Sequence, residues 1–369
     1  MKSKDRDSNI ELLRILTIIG VIILHYNNKF SGGALGYVFD KSVNFYILNV
    51  LESIFIPAVN IFIIISGFFL YNTEKRNLWK IIELLVEVVV IYELKYIFTQ
   101  IVINKSTISI SGMIFSLIPT NYFVILYSVV YIVSPYINIL IKSLDKKELQ
   151  RFIIILFIIF SIYPTAVDVF SEITKNQYNG LSTIGLYGSQ YGYSCVNFIL
   201  CYIIGAYISK YKKLFLENKF STLLITFIVN VLLITGWSLL NDYTGYFVEK
   251  TALEYCNPLV IINAAVILII FMKINIPTNI IINNLAKASF TVFLVHDIFM
   301  KKLSIESFVN KNSLIMMLHI IVSICVIYSI CWIIWFLYKK IEKYTLKKLE
   351  SKINLNYTIE NWEKLSEKI

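Results

Sequence analysis

Arg14 and His25 are the residues best suited to chemistry. One is a guanidinium that holds anions, the other an imidazole that exchanges a proton near neutral pH, and both lie inside the apolar run from Ile10 to Tyr26. Ionisable groups are costly in hydrocarbon. Eleven residues at roughly 100° per step bring the two side chains within about 20° of each other around a helix, separated by about 16 Å along its axis. One helix face therefore carries both, and that face is expected to line a cavity. The competing reading has Arg14 snorkelling to the headgroups and His25 idle at the opposite interface, satisfied by a hydrogen bond.

Other polar groups sit in similar surroundings. Glu11 precedes Arg14 by one turn, placed either to pair with it and orient the guanidinium or to sit as an interfacial carboxylate. Ser66 with Gly67 reads as a close-packing site ahead of a hydroxyl donor. Lys80, Glu83 and Glu87 share a helix face at spacings of three and four, the pattern of an ion-pair ladder near the membrane boundary. Glu93 and Lys95 lie deeper, with no role that the sequence assigns. His296 adjoins Asp297, but neighbours in sequence do not face each other on a helix, so His296 is expected to support rather than react. His319 reads as a satisfied interhelical histidine. The five cysteines lack any close Cys/His grouping and read as small core residues; neither a metal site nor a disulfide framework is expected.

The elements that must position these groups are membrane helices. A mean hydropathy of +0.70, with 57% hydrophobic and 16% charged residues, excludes an ordinary soluble domain of 369 residues. Apolar stretches recur at approximately 10 to 27, 44 to 71, 78 to 103, 120 to 141, 151 to 171, 192 to 210, 220 to 240, 257 to 273, 280 to 300 and 313 to 338. The expected fold is an all-α polytopic bundle of about ten transmembrane helices. The first stretch lacks a small-residue cleavage site, so it reads as a retained span.

The formal charge of +10 does not point to nucleic acid, because the basic residues cluster between spans and at the C-terminus. Lys2, Lys4 and Arg6 before the first span, with Lys339, Lys340, Lys343, Lys347 and Lys348 after the last, place both termini in the cytoplasm by the positive-inside rule. Lys301, Lys302 and Lys311 fall on the wrong side of that count. The span from 280 to 300, interrupted by Asn283, Asn284 and Lys287, is therefore expected to be short, tilted or broken. Pro57 predicts a kink in the long second stretch. Residues 104 to 119 form a polar connection with a short interfacial piece around Met113 to Ile118. Residues 172 to 191, with Tyr178, Tyr187 and Tyr191, form an outward loop that suits sugars or serves as an interfacial aromatic belt. The domain division is 1–340 for the membrane bundle and 341–369 for a charged tail, expected to be a surface helix.

Several segments together resemble the acyltransferase-3 family of integral membrane acyltransferases. Arg14, ten intervening residues and His25 match its first-span motif. Phe62 through Ser66-Gly67-Phe68 is similar to its second-span ending, followed by basic residues as in the family. Tyr122-Phe123 through Tyr131 to Ser134-Pro135 resembles its aromatic-led span, and Ser289-Phe290 through Leu294-Val295-His296 its late segment ending in histidine. Tyr122 stands where many members have tryptophan, and Lys75, Arg76 and Lys80 replace a more arginine-rich cluster.

The resemblance implies transfer of an acyl group, usually acetyl from cytoplasmic acetyl-coenzyme A, to a hydroxyl of a capsular, exopolysaccharide or other envelope glycan in a bacterial plasma membrane. On that reading His25 is the general base, and Arg14 binds the donor or stabilises developing negative charge. Lys75 and Arg76 hold the coenzyme phosphates or merely anchor the loop, and Glu11, Ser66, Tyr122 and His296 support. Membrane lipid and the glycan or lipid-linked acceptor are the expected partners. A homo-oligomer is a further partner that this reading admits. The rival class is a transporter that moves a glycan or lipid-linked precursor without chemistry, because buried ionisable residues also mark translocation paths. Internal inverted repeats would favour it, and the sequence carries none that we detect.

Overall fold

Helix α1 (Ser8–Asn27) is apolar on nearly every face, and a helix of that kind belongs inside a bundle rather than on its surface. It buries Ile10, Leu13, Ile18 and Ile22. In a computed structural model the chain is described over residues 7–73, 75–178, 180–186, 188–244, 249–300, 302–353 and 355–358. Lys2, Lys4, Arg6, Tyr187 and Lys301 lie outside the described residues. After α1 come α2 (Val43–Phe55), α3 (Ala58–Leu70), α4 (Trp79–Phe98), α5 (Tyr122–Ser143), α6 (Lys146–Phe157) and α7 (Tyr163–Thr174). They are followed by α8 (Cys195–Lys210), α9 (Phe220–Thr244), α10 (Pro258–Lys273), α11 (Ile280–Lys287), α12 (Ser289–Val295) and α13 (Ser313–Tyr344). Helix α1 packs against α2, α3, α10, α11, α12 and α13.

The chain is an all-α, multi-pass membrane bundle, but the expected count of about ten spans is not confirmed. Among the described residues six segments are long and apolar enough to cross a membrane: Ser8–Asn27, Val43–Leu70, Tyr122–Ser143, Lys146–Thr174, Phe220–Leu240 and Ser313–Glu350. The shortfall has two physical causes. Cys195–Lys210, Pro258–Lys273 and Ile280–Val295 are apolar but shorter than the ~20 residues a bilayer requires. Helix α4 has the length but carries Lys80, Glu83, Glu87, Glu93 and Lys95.

The irregularities have local reasons. Pro57 cannot donate into a continuing helix, and the second stretch breaks at Ile56–Pro57 into α2 and α3. The stretch from 280 to 300 is in three pieces, α11, α12 and Asp297–Met300, with breaks at Ala288 and His296. Ile110–Ser116 is a short helix with no buried residue, as the interfacial reading of that connection requires. The tail is not one surface helix. Leu346–Glu350 is helical, and Asn356–Thr358 then forms a strand, β2, paired antiparallel with β1 (Lys75–Asn77), with Asn77 opposite Asn356. The Trp79 indole N–H donates to the Ile353 carbonyl at 2.8 Å, and Lys347 bridges Glu83 and Glu350, which fixes the tail to the start of α4. Glu83 and Glu87 thus pair with lysines of the C-terminal region, Glu87 with Lys339 at 3.6 Å, rather than in a ladder along α4.

Helices α3 and α8 make the closest crossing. A Cβ on Gly67 would collide with the Tyr202 carbonyl, and one on Gly205 with the Ile64 carbonyl. Ser66, beside it, gives its hydroxyl to the Phe62 carbonyl at 2.8 Å, so this pair serves packing. Gly67→Ala is expected to destabilise the bundle by about 1 to 3 kcal/mol, because backbone rather than a flexible side chain must move. Thermal unfolding in detergent, compared with Gly36→Ala where only the Lys29 side chain lies near, is the check.

Candidate active site

A cavity of about 620 Å³ opens at the end of the bundle where α1 finishes. His25 lines it, together with His296 and Asp297 from the broken segment after α12 and with Tyr92 and Lys95 of α4. Its walls carry Tyr122, Tyr191, Tyr193 and Tyr255, the amides of Asn28, Asn49 and Asn121, and the carboxylate of Glu52. Aromatic faces beside amides and carboxylates suit a polyhydroxylated ligand.

The two histidines meet edge to face, ring centroids 4.5 Å apart at 81°. At the end of α12 the Val292 carbonyl accepts the His296 backbone N–H at 3.0 Å and also contacts its Nδ1 at 2.9 Å. Lys95 holds the other side, its ammonium 2.7 and 2.9 Å from the Asp297 carboxylate oxygens and 3.2 Å from the Leu294 carbonyl. A cation there also complements the C-terminal end of α12. Lys95, left without a role by the sequence, is thus explained by a partner that sequence distance had hidden. His319 is satisfied as expected, with Tyr26 Oη at 2.8 Å on Nδ1 and the Leu303 carbonyl at 2.9 Å on Nε2.

Arg14 is not among the residues lining this cavity. Its guanidinium lies 3.8 Å from Glu11 and 5.8 Å from the centre of the Phe69 ring, towards the start of α1, with its side chain about one-third exposed. Rings fill the space between the two ends. Phe293 lines the cavity and lies 5.3 Å from Phe123, which stacks on Tyr127 at 6.0 Å, with Tyr131 6.3 Å further on. Phe123, Tyr127 and Tyr131 recur every four residues and so form one stripe of α5. A shared helix face on α1 did not by itself put Arg14 and His25 in one chamber.

Arg76 is fully buried at the far end of that file. Its Nε–H donates to Ser134 Oγ at 2.9 Å, Nη1 to the Thr73 carbonyl at 2.7 Å and to Thr73 Oγ1 at 2.8 Å, and Nη2 to the Leu70 carbonyl at 3.1 Å. Ser134 is available for a local reason. Pro135 has no N–H to give the Tyr131 carbonyl, which instead accepts the Ser134 hydroxyl at 2.7 Å. Arg76 therefore caps the C-terminal end of α3 and ties it to α5. Lys75 lies in β1 opposite Thr358.

The far wall of the cavity depends on a polar cluster in which the loop residues Ser189, Tyr191, Glu254 and Tyr255 meet Asn60 of α3 and Asp168 of α7. Asn60 donates to the Tyr255 carbonyl at 2.6 Å, and the Tyr255 N–H to the Tyr191 carbonyl at 3.0 Å. Ser189, two residues before Tyr191, gives its N–H to Asp168 at 2.8 Å and its hydroxyl to Glu254 at 2.5 Å. Burial, then the nearby carboxylates of Asp168 and Glu172, push the Glu254 carboxyl up to about 8. A carboxyl raised on folding contributes stability that is complete below its ordinary value near 4.5 and is lost as pH rises to about 8. Glu254→Gln is expected to flatten the fall in melting temperature between pH 5 and pH 8; an unchanged slope would remove Glu254 as its cause.

Sequence reading found His25, Tyr122 and His296 at this cavity and missed Lys95 with Asp297, Tyr92, Asn121, Tyr193 and Tyr255. The clue to Lys95 was its charge within an apolar stretch. A family model described as an acyltransferase domain matches residues 7–336, which include every cavity residue named here. Comparison with curated proteins and with solved structures finds no match. With the matched stretch covering nearly the whole bundle and including both of the paired histidines, the chain belongs to the acyltransferase-3 family and is a multi-pass membrane acyltransferase.

Proposed function

We propose that the protein transfers an acetyl group from acetyl-coenzyme A to a hydroxyl of a capsular, exopolysaccharide or other envelope glycan in a bacterial plasma membrane. The observation that carries this reading is His25 on the wall of a 620 Å³ cavity lined by tyrosines and amides, at the end of α1 opposite the basic N-terminal segment. The positive-inside rule assigns that basic end to the cytoplasm, so donor and acceptor approach the bundle from opposite faces.

In this scheme the acceptor hydroxyl lies in the cavity and His25 takes its proton as the oxygen attacks the thioester carbonyl. Collapse of the tetrahedral species breaks the carbon–sulfur bond, and the proton on His25 passes to the departing thiolate. Arg14, about 16 Å away along the helix axis, is too far to stabilise the oxyanion and is assigned to donor binding at the cytoplasmic end. A pantetheine arm is long and thin, suited to passing the stripe of Phe123 and Tyr127 once those rings turn aside. Arg76, engaged with helix carbonyls, is assigned to holding the donor-side loop rather than to the phosphates.

Incubating purified protein with labelled acetyl-coenzyme A and envelope polysaccharide tests the reading. Label in the polysaccharide, released by mild base as expected for an ester, supports it. Movement of unmodified glycan across proteoliposomes with no label transfer would replace it with a transporter.

A further inference from the structure

The hydrogen bonds of the two cavity histidines are incomplete in a complementary way. The Val292 carbonyl can only accept, so His296 carries its proton on Nδ1 and has a bare lone pair on Nε2. That Nε2 is buried and has no hydrogen-bond partner among the described residues. The same holds for Nδ1 of His25, the ring that stands edge-on to His296 at 4.5 Å. Two orphaned buried nitrogens on touching rings are exceptional, because buried polar atoms are nearly always paired. His319 shows the ordinary outcome, with both nitrogens engaged.

We propose that His296 is a positioning residue that fixes the tautomer of His25: its Nε2 lone pair accepts the Nδ1 proton of His25, leaving the His25 Nε2 lone pair open to the cavity. The relay runs from the Val292 carbonyl through the His296 ring to the His25 ring. No proton is transferred along it in the resting state. When His25 gains the acceptor's proton on Nε2, both of its nitrogens carry hydrogen, and the Nδ1–H bond to His296 becomes charge-assisted. A histidine free to hold its proton on Nε2 would present a donor to the hydroxyl and fail as a base. The Lys95–Asp297 pair, anchored to the Leu294 carbonyl, holds the backbone at the break from which His296 projects. This inference rests on the proposed role of His25 as base.

The chain has three histidines, so ¹⁵N-histidine labelling of the full-length protein in detergent gives a spectrum simple enough to assign with single-histidine variants. The expected result is His25 protonated on Nδ1 in the unmodified protein and in His296→Gln, whose amide oxygen can accept the same proton. In His296→Leu a mixture of tautomers is expected. Turnover with labelled acetyl-coenzyme A and envelope polysaccharide should fall about tenfold to a hundredfold in His296→Leu. It should be largely restored in His296→Gln, with the donor KM unchanged in both. Finding His25 protonated on Nε2 in the unmodified protein, or full turnover in His296→Leu, overturns the proposal. Loss of the base role itself is a separate result, read from His25→Ala, and the tautomer spectrum decides the relay without any turnover.

Discussion

Replacing His25 by alanine is expected to lower acyl transfer by about 10²- to 10⁴-fold, the range supplied by a positioned general base. The fold should survive, because the His25 ring borders the cavity and its proposed hydrogen bond joins it to another cavity side chain, His296, rather than to the backbone of a neighbouring helix. His319→Ala provides the contrast. That ring holds Tyr26 and the Leu303 carbonyl and stacks on Phe308 at 4.2 Å, so its removal should lower the melting temperature with a much smaller loss of turnover in the protein that remains folded. The measurement is turnover per folded molecule alongside thermal unfolding. Near-normal transfer in folded His25→Ala protein would take the base role away from this residue.

The second large effect concerns Arg76. Its removal takes a charged donor from the Leu70 and Thr73 carbonyls and breaks the link from α3 to Ser134 of α5, around a guanidinium that is itself fully buried. Hydrogen bonds to a charged group are the stronger kind, and several are lost at once, so Arg76→Ala should cost about 3 kcal/mol or more. Lysine should not rescue it, since a single ammonium cannot span the fork that Thr73, Leu70 and Ser134 present. A role in phosphate binding predicts the opposite pattern: a folded protein of normal melting temperature whose donor KM is raised. Thermal unfolding together with donor titration separates the two. The Arg14→Ala variant is the reference for a raised donor KM, because its guanidinium remains partly open.

Much of the architecture is legible because it is local. Apolar length marks the spans, Pro57 marks the division of α2 from α3, and asparagines with a lysine mark the broken segment that carries His296. Length alone could not establish the number of crossings. The 16-residue helices α8 and α10 are as apolar as many full spans, and their burial depends on neighbours such as Gly67 against Tyr202, which no window of sequence contains. The tail was misread for a related reason. Its charge pattern is compatible with a helix, but the edge of β1 gives residues 356–358 hydrogen-bond partners that a surface helix would not provide.

The site divides along the same line. Sequence alone determined that this is a helical membrane protein and that Arg14 and His25 project from one face of its first helix. Periodicity decides these matters, and periodicity is a property of the chain itself. Only the tertiary structure decided that His25 meets His296, that Lys95 answers Asp297, that Arg14 opens at the other end of a file of rings, and that Arg76 is spent on helix carbonyls. Those outcomes depend on which side chains fill the space between helices distant in sequence. Packing settles that question, and no local pattern encodes it.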